Sequence, residues 1–390
     1  MNIALITESY WPNVDGGAVF EHHLALGLAG QKHNVMIFTP SKDGKHAEEQ
    51  NSGTTIVRLT SHLLAFNKLY RFCLWPNKEI TSKLDEFKPD IIHIHTPTQI
   101  SIIARNWARK HHVPVLATNH FLPDNFILEL PLLKFLTKTI RFLMWRYLIW
   151  FYNGVNFVTS PTQTAIDILQ QQGLKTPCAP ASNGIDVNYF TPGRAKPEFY
   201  SKYHVPVDKP IILYTGRVAG EKRLDVWLRM VPVVRKTVDC HFVIGGRGPS
   251  EEMLKKLILE LGIEEYVTFI GFVSEPELAE IYRTGTVFVI TSPVELQSIV
   301  TLEALATGLP IVACEECALP EIVHHGENGF LVAYEDYQTT AEQVIRILTD
   351  DKQRTHFGAE SRRIAEIHAF PKTVANYERI YTELASSFKN

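Results

Sequence analysis

The sequence predicts an α/β protein of two domains, each built on a parallel β-sheet with helices on both faces. The chain has 390 residues, more than one domain core usually contains. Short β-branched runs alternate with longer helical patterns, an alternation typical of parallel sheets. The alternation is interrupted by a turn-rich stretch near residue 185 and then starts again. Two α/β domains joined at this stretch account for these observations.

In the first half, apolar strands alternate with helices from the first residues onward. The predicted strands are Asn2–Ile6, Val35–Thr39, Ile91–His95, Val113–Thr118 and Asn156–Ser160. The predicted helices are Ala18–Ala29, Lys78–Glu86, Ile100–Lys110 and Thr162–Gln171. Strands buried on both faces are rich in Val, Ile and Leu, as most of these runs are.

In the second half, the same alternation predicts another parallel sheet. Its predicted strands are Ile211–Tyr214, Cys240–Ile244, Val267–Ile270, Val287–Thr291 and Ile311–Ala313. Open α/β sheets bind ligands beyond the carboxyl ends of their strands. We therefore expect the functional residues directly after these strands, with the carboxyl ends of the two sheets facing each other.

The seam between the domains is predicted from Asn183 to Arg194, a stretch dense in turn-forming residues. This places an N-terminal domain at residues 1–188 and a C-terminal domain at 189–370. A last helix, predicted over Lys372–Phe388 within residues 371–390, follows Pro371. We expect it to cross back and pack on the first domain.

Bulk properties predict a cytoplasmic protein. The start shows neither the basic segment nor the long apolar run of an export signal, and no apolar stretch is long enough to span a membrane. The five cysteines are sparse and odd in number, which fits a reducing compartment. A net charge of −3 gives no reason to expect nucleic acid as a partner. Residues 1–190 carry 17 Lys and Arg against 14 Asp and Glu, so the basic half is the candidate for an anionic surface.

The strongest local pattern is Tyr214-Thr215-Gly216-Arg217, followed shortly by Lys222. A buried strand ends at Thr215, and Gly216 allows a tight turn beside a ligand. Arg217 and Lys222 then offer a guanidinium fork and a point charge to one diphosphate. The alternative is that both are solvated surface bases.

A second pattern places two acids around a strand-to-helix turn. Glu295 follows an apolar strand, and Glu303 lies on the first turns of a helix predicted from about Ser298 to Ala306. The free amides at the start of that helix favour a phosphate, and the acids can accept from sugar hydroxyls. The alternative is a pair of ordinary acids near a helix start.

In the first domain, Gly16 and Gly17 precede a long helix and allow close approach of the backbone to a ligand, although a simple loop is the alternative. His95 ends a predicted strand and His120 closely follows another, which places both at the cleft. His93 points into a layer of the fold and is expected to be structural. A satisfied buried histidine is the alternative for the other two, and no histidine spacing predicts a metal site.

Taken together, these residues resemble the retaining glycosyltransferases of family four, along almost the whole chain. The matching segments are Asp15–Gly17, Pro89–His95, Ser182–Asp186, Thr215–Arg217 with Lys222, and Glu295–Pro310. The resemblance implies the GT-B fold, with two facing Rossmann-like domains. It also implies transfer from a nucleotide diphosphate sugar, with the acceptor at the first domain and the donor at the second.

The resemblance assigns the donor to the second domain and to the Gly16–Gly17 loop. Arg217 and Lys222 would bind the diphosphate in place of a metal ion, and Glu303 would hold the ribose. The backbone of Ser298, Ile299 and Val300 would complete the phosphate site together with Gly16 and Gly17. No cofactor is implied, and a uridine donor is the commoner case in the family.

For the transferred sugar, the resemblance implies that Glu295 contacts its hydroxyls and that His120 steers it beside the reacting carbon. Retention would have the acceptor attack from the side of the leaving group, with a phosphate oxygen taking its proton. The family usually has Gly-Phe-Gly or similar after the first acid, whereas this chain has Leu296-Gln297-Ser298. This variant resembles the lipid-glycosylating members, and it does not indicate which sugar is transferred.

A basic and aromatic segment, residues 131–150, indicates the kind of acceptor that the protein uses. It contains Lys134, Lys138, Arg141 and Arg146 but no acid, and the first three bases share a helical face with Trp145. Such a helix suits an anionic bilayer, so we expect a peripheral protein at the inner face of the cell membrane with a lipid acceptor such as diacylglycerol. The alternative is a domain helix with solvated bases.

Three other functions use parts of the same pattern. A transferase with a soluble acceptor would keep every donor residue and need no lipid. A sugar-nucleotide epimerase would need no acceptor, but the combination of Arg217 and Lys222 with Glu295 and Glu303 argues against it. A non-catalytic bilobed binding protein is disfavoured by the same acids and by the absence of an export signal.

Overall fold

The computed structural model describes residues 1–12, 16–64, 67–123 and 136–389. The chain forms two compact units. Unit 1 contains the described residues up to Asn183 and those from Pro371 onward, and unit 2 contains Gly184–Phe370. The division lies at Asn183, five residues before the predicted boundary at residue 188. Ile185 belongs to unit 2 because its N–H donates to the carbonyl of His368 (2.9 Å) and its carbonyl accepts from the N–H of Phe370 (2.9 Å).

Unit 1 is built on an eight-stranded sheet with a separate two-stranded hairpin. The strands are β1 (Asn2–Ile6), β2 (Asn34–Pro40), β3 (Ala47–Asn51), β4 (Thr54–Leu59), β5 (His62–Leu64), β6 (Asn67–Phe72), β7 (Ile91–Ile94), β8 (Val115–Thr118), β9 (Phe157–Ser160) and β10 (Cys178–Pro180). The helices are α1 (Gly16–Gly30), α2 (Asn77–Phe87), α3 (Gln99–His111), α4 (Thr137–Tyr152) and α5 (Gln163–Gln171). The large sheet has the order β10-β9-β8-β7-β1-β2-β4-β3, and β3 alone in it runs antiparallel to its neighbour.

The centre of this sheet is apolar because β1 lies between two parallel neighbours. Ile3 pairs with Val35 on one side and with Ile91 on the other. Ile3–Ile6 are fully buried, as expected for a strand covered on both faces. The carboxyl ends of β7 and β8 therefore lie side by side in register, with Ile94 opposite Ala117.

Unit 2 is built on a six-stranded sheet in which every pair is parallel. The strands are β11 (Ile211–Thr215), β12 (His241–Gly245), β13 (Val267–Gly271), β14 (Val287–Ile290), β15 (Ile311–Cys314) and β16 (Gly329–Val332). The helices are α6 (Pro197–Tyr203), α7 (Leu224–Arg235), α8 (Glu251–Leu261), α9 (Leu278–Thr284), α10 (Ile299–Ala306), α11 (Tyr337–Thr349) and α12 (Asp351–Ile367).

Helices cover both faces of the second sheet. Ile211 and Leu213 of β11 belong to one buried apolar cluster, whereas Ile212 and Tyr214 belong to the other. This alternation is the two-residue period of a strand, and it shows that each face has its own core. The strand order β13-β12-β11-β14-β15-β16 places β11 and β14 at the point where the order reverses.

The last helix, α13 (Phe370–Lys389), packs on unit 1. The ring of His93 is hydrogen-bonded through Nδ1 to the hydroxyl of Tyr381 (2.7 Å), and the hydroxyls of Tyr377 and Thr118 lie 3.3 Å apart. Near the other end of the sheet, His33 Nε2 lies 3.0 Å from a Glu378 oxygen. These contacts tie α13 to β7, to β8 and to the residue before β2.

Candidate active site

The residues that follow β11 and β14 come together at the point where the strand order reverses, which is where open α/β sheets bind ligands. Hydrogen bonds join the two loops directly. The hydroxyl of Thr291 donates to the carbonyl of Lys222 (3.0 Å), and the hydroxyl of Ser292 donates to the carbonyl of Glu221 (3.3 Å). The sequence patterns around residues 217 and 295 are therefore parts of one site in unit 2.

Glycines let two backbone turns meet beside this site. Gly216 and Gly246 have φ angles of +133° and +131°, and the N–H of Gly216 donates to the carbonyl of Gly245 (2.9 Å). A Cβ atom added to Gly246 would lie 1.8 Å from the carbonyl oxygen of Gly216. A side chain at Gly246 would therefore displace the turn that carries Arg217.

We expect Gly246→Ala to destabilise unit 2 and to weaken donor binding together. The positive φ alone costs about 1–3 kcal/mol for a residue with a Cβ atom, and the backbone clash adds to this cost. Chemical unfolding and donor titration would measure both effects. Gly262→Ala is the matched control, because Gly262 also has a positive φ (+63°) but nothing lies within 4 Å of its added Cβ. Equal losses in the two variants would contradict the role assigned to the clash.

Arg217 lies just past the end of β11 with its side chain 47% exposed. Its guanidinium Nη2 donates to Oε1 of Glu221 at 2.6 Å, and its carbonyl accepts from the hydroxyl of Tyr214 at 3.0 Å. Because the guanidinium is half-exposed, it can bind an additional anion while it stays paired with Glu221. Glu221 is a buried partner that the sequence patterns did not identify.

Lys222 and Glu295 form an ion pair, with Nζ donating to Oε1 at 2.7 Å. Lys222 ends a short 3₁₀ turn, Gly220–Lys222, and Glu295 is held through its own carbonyl, which accepts from the N–H of Ala318 (3.1 Å). Two residues predicted from separate patterns are thus in direct contact, a pairing that the sequence did not indicate. A cation and a carboxylate side by side can bind a phosphate oxygen and a sugar hydroxyl at neighbouring positions.

The first turn of α10 adds backbone N–H groups to the same loop. Ser298 is the N-cap, and its hydroxyl oxygen accepts from the N–H of Thr301 (3.3 Å) and from the Thr301 hydroxyl (2.7 Å). The N–H groups of Ile299 and Val300 belong to the first turn, where an α-helix supplies no acceptors of its own. A helix start of this kind favours an anion.

Glu303 lies on the second turn of α10 and is only 8% exposed. The hydroxyl of Tyr282 donates to its Oε2. The same hydroxyl lies 2.5 Å from Oγ1 of Thr215, so a chain of hydrogen bonds links the end of β11 to α10. Burial raises the pKa of the Glu303 carboxyl to about 7.

In unit 1, the predicted residues lie around the amino end of α1 and the carboxyl ends of β7 and β8. Gly16 and Gly17 open α1, while Asp15 is outside the described residues. His95 Nδ1 lies 3.2 Å from His120 Nε2 and 3.8 Å from Oε1 of Glu21 on α1. One ligand atom from each of these three side chains lies within 4.8 Å of the others, a spacing that could hold a metal ion. The sequence spacing gave no indication of this cluster.

His93 has the structural role expected of it. Besides its hydrogen bond to Tyr381, its Nε2 is hydrogen-bonded to Oγ1 of Thr118 at 2.6 Å. Burial and, to a smaller extent, His120 lower the pKa of His93 well below its usual value, so the ring is neutral.

The predicted basic helix corresponds to α4. Lys134 is outside the described residues, whereas Lys138 and Arg141 are exposed. Trp145 lies on the same side of α4 and lines one groove with Lys138 and Arg141, as predicted, but it packs inward and is only 8% exposed. The exposed aromatic side chains beside the bases are Phe142 (59%) and Trp150 (54%).

An open groove of about 940 Å³ lies along α4. Its basic lining residues are Lys138, Arg141, Arg146 and Lys175. No described residue that lines it is acidic, so the groove is suited to an anionic group. Lys175 is an addition that sequence reasoning missed, because it comes from the loop after α5. In the part of the chain that the structure describes, no helix is long and apolar enough to cross a membrane.

Comparison with protein families gives two matches that together cover most of the chain. The model of Glycosyltransferase Family 4 matches residues 14–218, which is more than half of the sequence. The model of Glycosyl transferases group 1 matches residues 195–364. The second match contains Arg217, Lys222, Glu295 and Glu303, so the loops of unit 2 described above lie inside it.

Two curated relatives are each named alpha-monoglucosyldiacylglycerol synthase. The protein from Streptococcus pneumoniae is 27% identical over 322 residues, covering 80% of this chain and 71% of the relative. The protein from Acholeplasma laidlawii is 23% identical over 397 residues, covering 98% of this chain and 97% of the relative.

Solved structures show the same fold at lower identity. Sucrose-phosphate synthase from Thermosynechococcus elongatus superimposes with a TM-score of 0.81 at 18% identity, over 99% of both chains. The Anabaena protein HepE in complex with UDP superimposes with a TM-score of 0.76 at 16% identity, over 98% of this chain and all of that one. Both neighbours are GT-B glycosyltransferases, and the predicted GT-B fold is thereby confirmed.

Proposed function

Because the chain belongs to glycosyltransferase family 4, we propose that it transfers a sugar from a uridine diphosphate sugar to a membrane lipid such as diacylglycerol, with retention at the anomeric carbon. Glycosyl transfer from a nucleotide sugar is the established part of this statement. The donor base, the stereochemistry and the lipid acceptor are the proposed parts. The observation that carries the transfer from a nucleotide sugar is the meeting of Arg217, Lys222 and the first turn of α10 in one site.

The donor diphosphate is the group that this site suits best. Breaking the bond between the anomeric carbon and the diphosphate oxygen leaves growing negative charge on the phosphates. Arg217, Lys222 and the N–H groups of Ile299 and Val300 would stabilise that charge without a metal ion. Each well-placed donor of this kind contributes about 2.7–4 kcal/mol to transition-state stabilisation. The proposal includes Gly16 and Gly17 as backbone contacts to the same phosphates.

The transferred sugar needs partners for its hydroxyls. We assign Glu295 to this role because its carboxylate lies beside the cation proposed to bind phosphate, with 2.7 Å between Oε1 and the Lys222 Nζ. His120 is proposed to contact the sugar next to the reacting carbon. With retention, the acceptor hydroxyl attacks from the side of the leaving group and passes its proton to a phosphate oxygen. No protein side chain then has to act as the base.

Glu303 is proposed to accept hydrogen bonds from the ribose, and this role predicts a pH dependence. Burial raises its pKa to about 7, so the ionised fraction of the free protein increases between pH 6 and pH 8. If only the carboxylate accepts both ribose hydroxyls, the affinity for the sugar nucleotide should rise by about 10-fold over this interval. The sugar-linked diphosphate itself does not titrate there. Calorimetric titration at pH 6, 7 and 8 would measure the rise.

The control for this prediction is Glu303→Gln, whose affinity should be weak and independent of pH. The direction of the pKa shift of Glu303 can also be checked through the pH dependence of the stability of the free protein. The folded pKa lies above the unfolded one, so native Glu303 keeps its proton while the unfolded chain loses it. Its contribution to stability should therefore fall as the pH rises from about 4.5 to 7 and then level off. An equal pH dependence of binding in the variant would contradict the assignment.

The lipid acceptor is supported by three observations. The two curated relatives are named as synthases of a glucosylated diacylglycerol. The groove along α4 has four basic side chains and no acid among the described residues that line it. Phe142 and Trp150 expose aromatic surface on the same helix, an arrangement suited to an anionic membrane interface. Peripheral attachment at the inner face of the cell membrane is part of this proposal.

A two-step experiment tests the proposed function. Thermal shift with a panel of nucleoside diphosphates and their sugars, with chelator present, identifies the donor. The selected donor is then offered with diacylglycerol in anionic vesicles and, separately, with soluble sugars, and the products are identified together with their anomeric configuration. A glycolipid with the configuration of the donor is expected. Transfer to soluble sugars alone would overturn the lipid acceptor, and an inverted product would overturn retention.

A further inference from the structure

The three side chains Glu21, His95 and His120 form a cluster of titratable groups in unit 1. His95 is fully buried and lies against His93, with ring centroids 3.9 Å apart and the ring planes inclined at 43°. The orientation of His93 is set in turn by its hydrogen bonds to Tyr381 and Thr118. The ring of His95 is therefore held in one orientation, with Nδ1 towards His120 and Glu21.

The surroundings of His95 determine where its proton lies. Its Nδ1 is 3.2 Å from Nε2 of His120. Its Nε2 is buried and meets no hydrogen-bonding atom among the residues that the structure describes. Burial, then His93 and His120, lower the pKa of His95 well below its usual value, so the ring is neutral and carries one N–H. Among the described residues, Nε2 is unpaired in either tautomer, and the carboxyl oxygen of Glu21 3.8 Å from Nδ1 favours the proton on Nδ1.

We propose that His95 is a positioning residue that fixes the tautomer of His120. Its Nδ1–H donates to Nε2 of His120, and the neutral His120 therefore carries its own proton on Nδ1. That N–H is the donor that His120 presents to a hydroxyl of the transferred sugar. The use of this N–H rests on the proposed function, whereas the tautomer itself does not.

Two other arrangements of the cluster fit the surroundings less well. A protonated His120 would donate from Nε2 to His95, which would then carry its proton on the buried Nε2. A metal ion bound at Nδ1 of His95 would force the same protonation. Histidine ligands normally donate their second N–H to an acceptor, and His95 has none among the described residues.

A matched pair of variants tests the proposal. In His95→Asn the side-chain amide can take the place of the Nδ1–H donor, while His95→Leu has nearly the same shape and no donor. We expect His95→Leu to lower kcat by about 10- to 100-fold, in the range found when a supporting hydrogen bond is removed. His95→Asn should stay close to wild type. Thermal unfolding of both variants separates this effect from a loss of folding.

The tautomer can be observed without any substrate. Long-range ¹H–¹⁵N spectra of the histidine rings should show His120 with its proton on Nδ1 in the wild type and in His95→Asn. The signals of the His120 ring are identified as those that disappear from the spectrum of His120→Gln. A proton on Nε2 of His120 in the wild type, or equal losses of kcat in the two folded His95 variants, would overturn the proposal. Normal transfer by His120→Gln would instead overturn the sugar contact assigned to His120, with the spectra still deciding the tautomer.

Discussion

Replacing Arg217 with alanine is expected to lower the turnover number by about 100-fold or more, the effect of removing a donor that stabilises transition-state charge. Arg217 lies directly after β11, in the loop that meets the loop following β14. Its guanidinium is half-exposed and pairs with the buried Glu221. The main loss should therefore appear in catalysis, with a smaller loss of stability because the Glu221 carboxylate loses this partner.

Steady-state kinetics and chemical unfolding of the same variants would separate these effects. Arg217→Lys keeps the charge and loses the bidentate fork, so it should fall between alanine and wild type. Arg229→Ala is the control, because Arg229 is an exposed base on α7 of the same unit and lies outside the proposed site. Near-normal turnover of a folded Arg217→Ala variant would reject the role of Arg217 at the leaving group.

Changing Lys138 and Arg141 together to glutamate is expected to weaken binding to anionic vesicles by about 30-fold or more. Each base near an anionic surface contributes about 1 kcal/mol, so the loss of two corresponds to about 30-fold, and the added acids increase it. Both side chains are exposed on α4 and line a groove with two further bases. Because neither packs in the core, the fold should persist.

Vesicle flotation with and without anionic lipid would measure this effect. The matched control changes Lys236 and Lys352 to glutamate, which gives the same net charge from exposed positions in unit 2. Only the α4 variant should lose binding, and the difference should shrink in vesicles of neutral lipid and at high salt. Equal recovery of both variants with the anionic vesicles would remove the membrane role of α4.

Much of the fold could be predicted from the sequence because its strands are buried on both faces. The apolar run Asn2–Ile6 and the end of the strand at Thr215 agree with β1 and β11. The edge strand β3, Ala47–Asn51, was missed because it is polar and mostly exposed. It forms by antiparallel pairing with β4, so its structure depends on its neighbour and not on a pattern of its own.

The residues of the candidate site likewise divide into those that the sequence predicted and those that it missed. Arg217, Lys222, Glu295 and Glu303 could be selected from the sequence because each follows a strand end or opens a helix. Their buried partners could not, since Tyr282 reaches Glu303 across 21 residues of sequence. Helical periodicity placed Trp145 beside Lys138 and Arg141, and all three line the groove along α4, but the periodicity could not tell which of them packs against the core. Burial of Trp145 with Leu148 and Phe151 decided that question.

The sequence by itself determined two parallel-sheet domains, the family, and the cations and acids of the unit 2 site, because these features are local in the chain. Only the tertiary structure decided which side chains pair, which face of α4 is exposed, and that burial raises the pKa of Glu303 to about 7. It also brought Glu21 to His95 and His120 from three separate elements. Hydrogen bonds and desolvation depend on distances between segments far apart in the chain, and those distances exist only after the sheets have assembled.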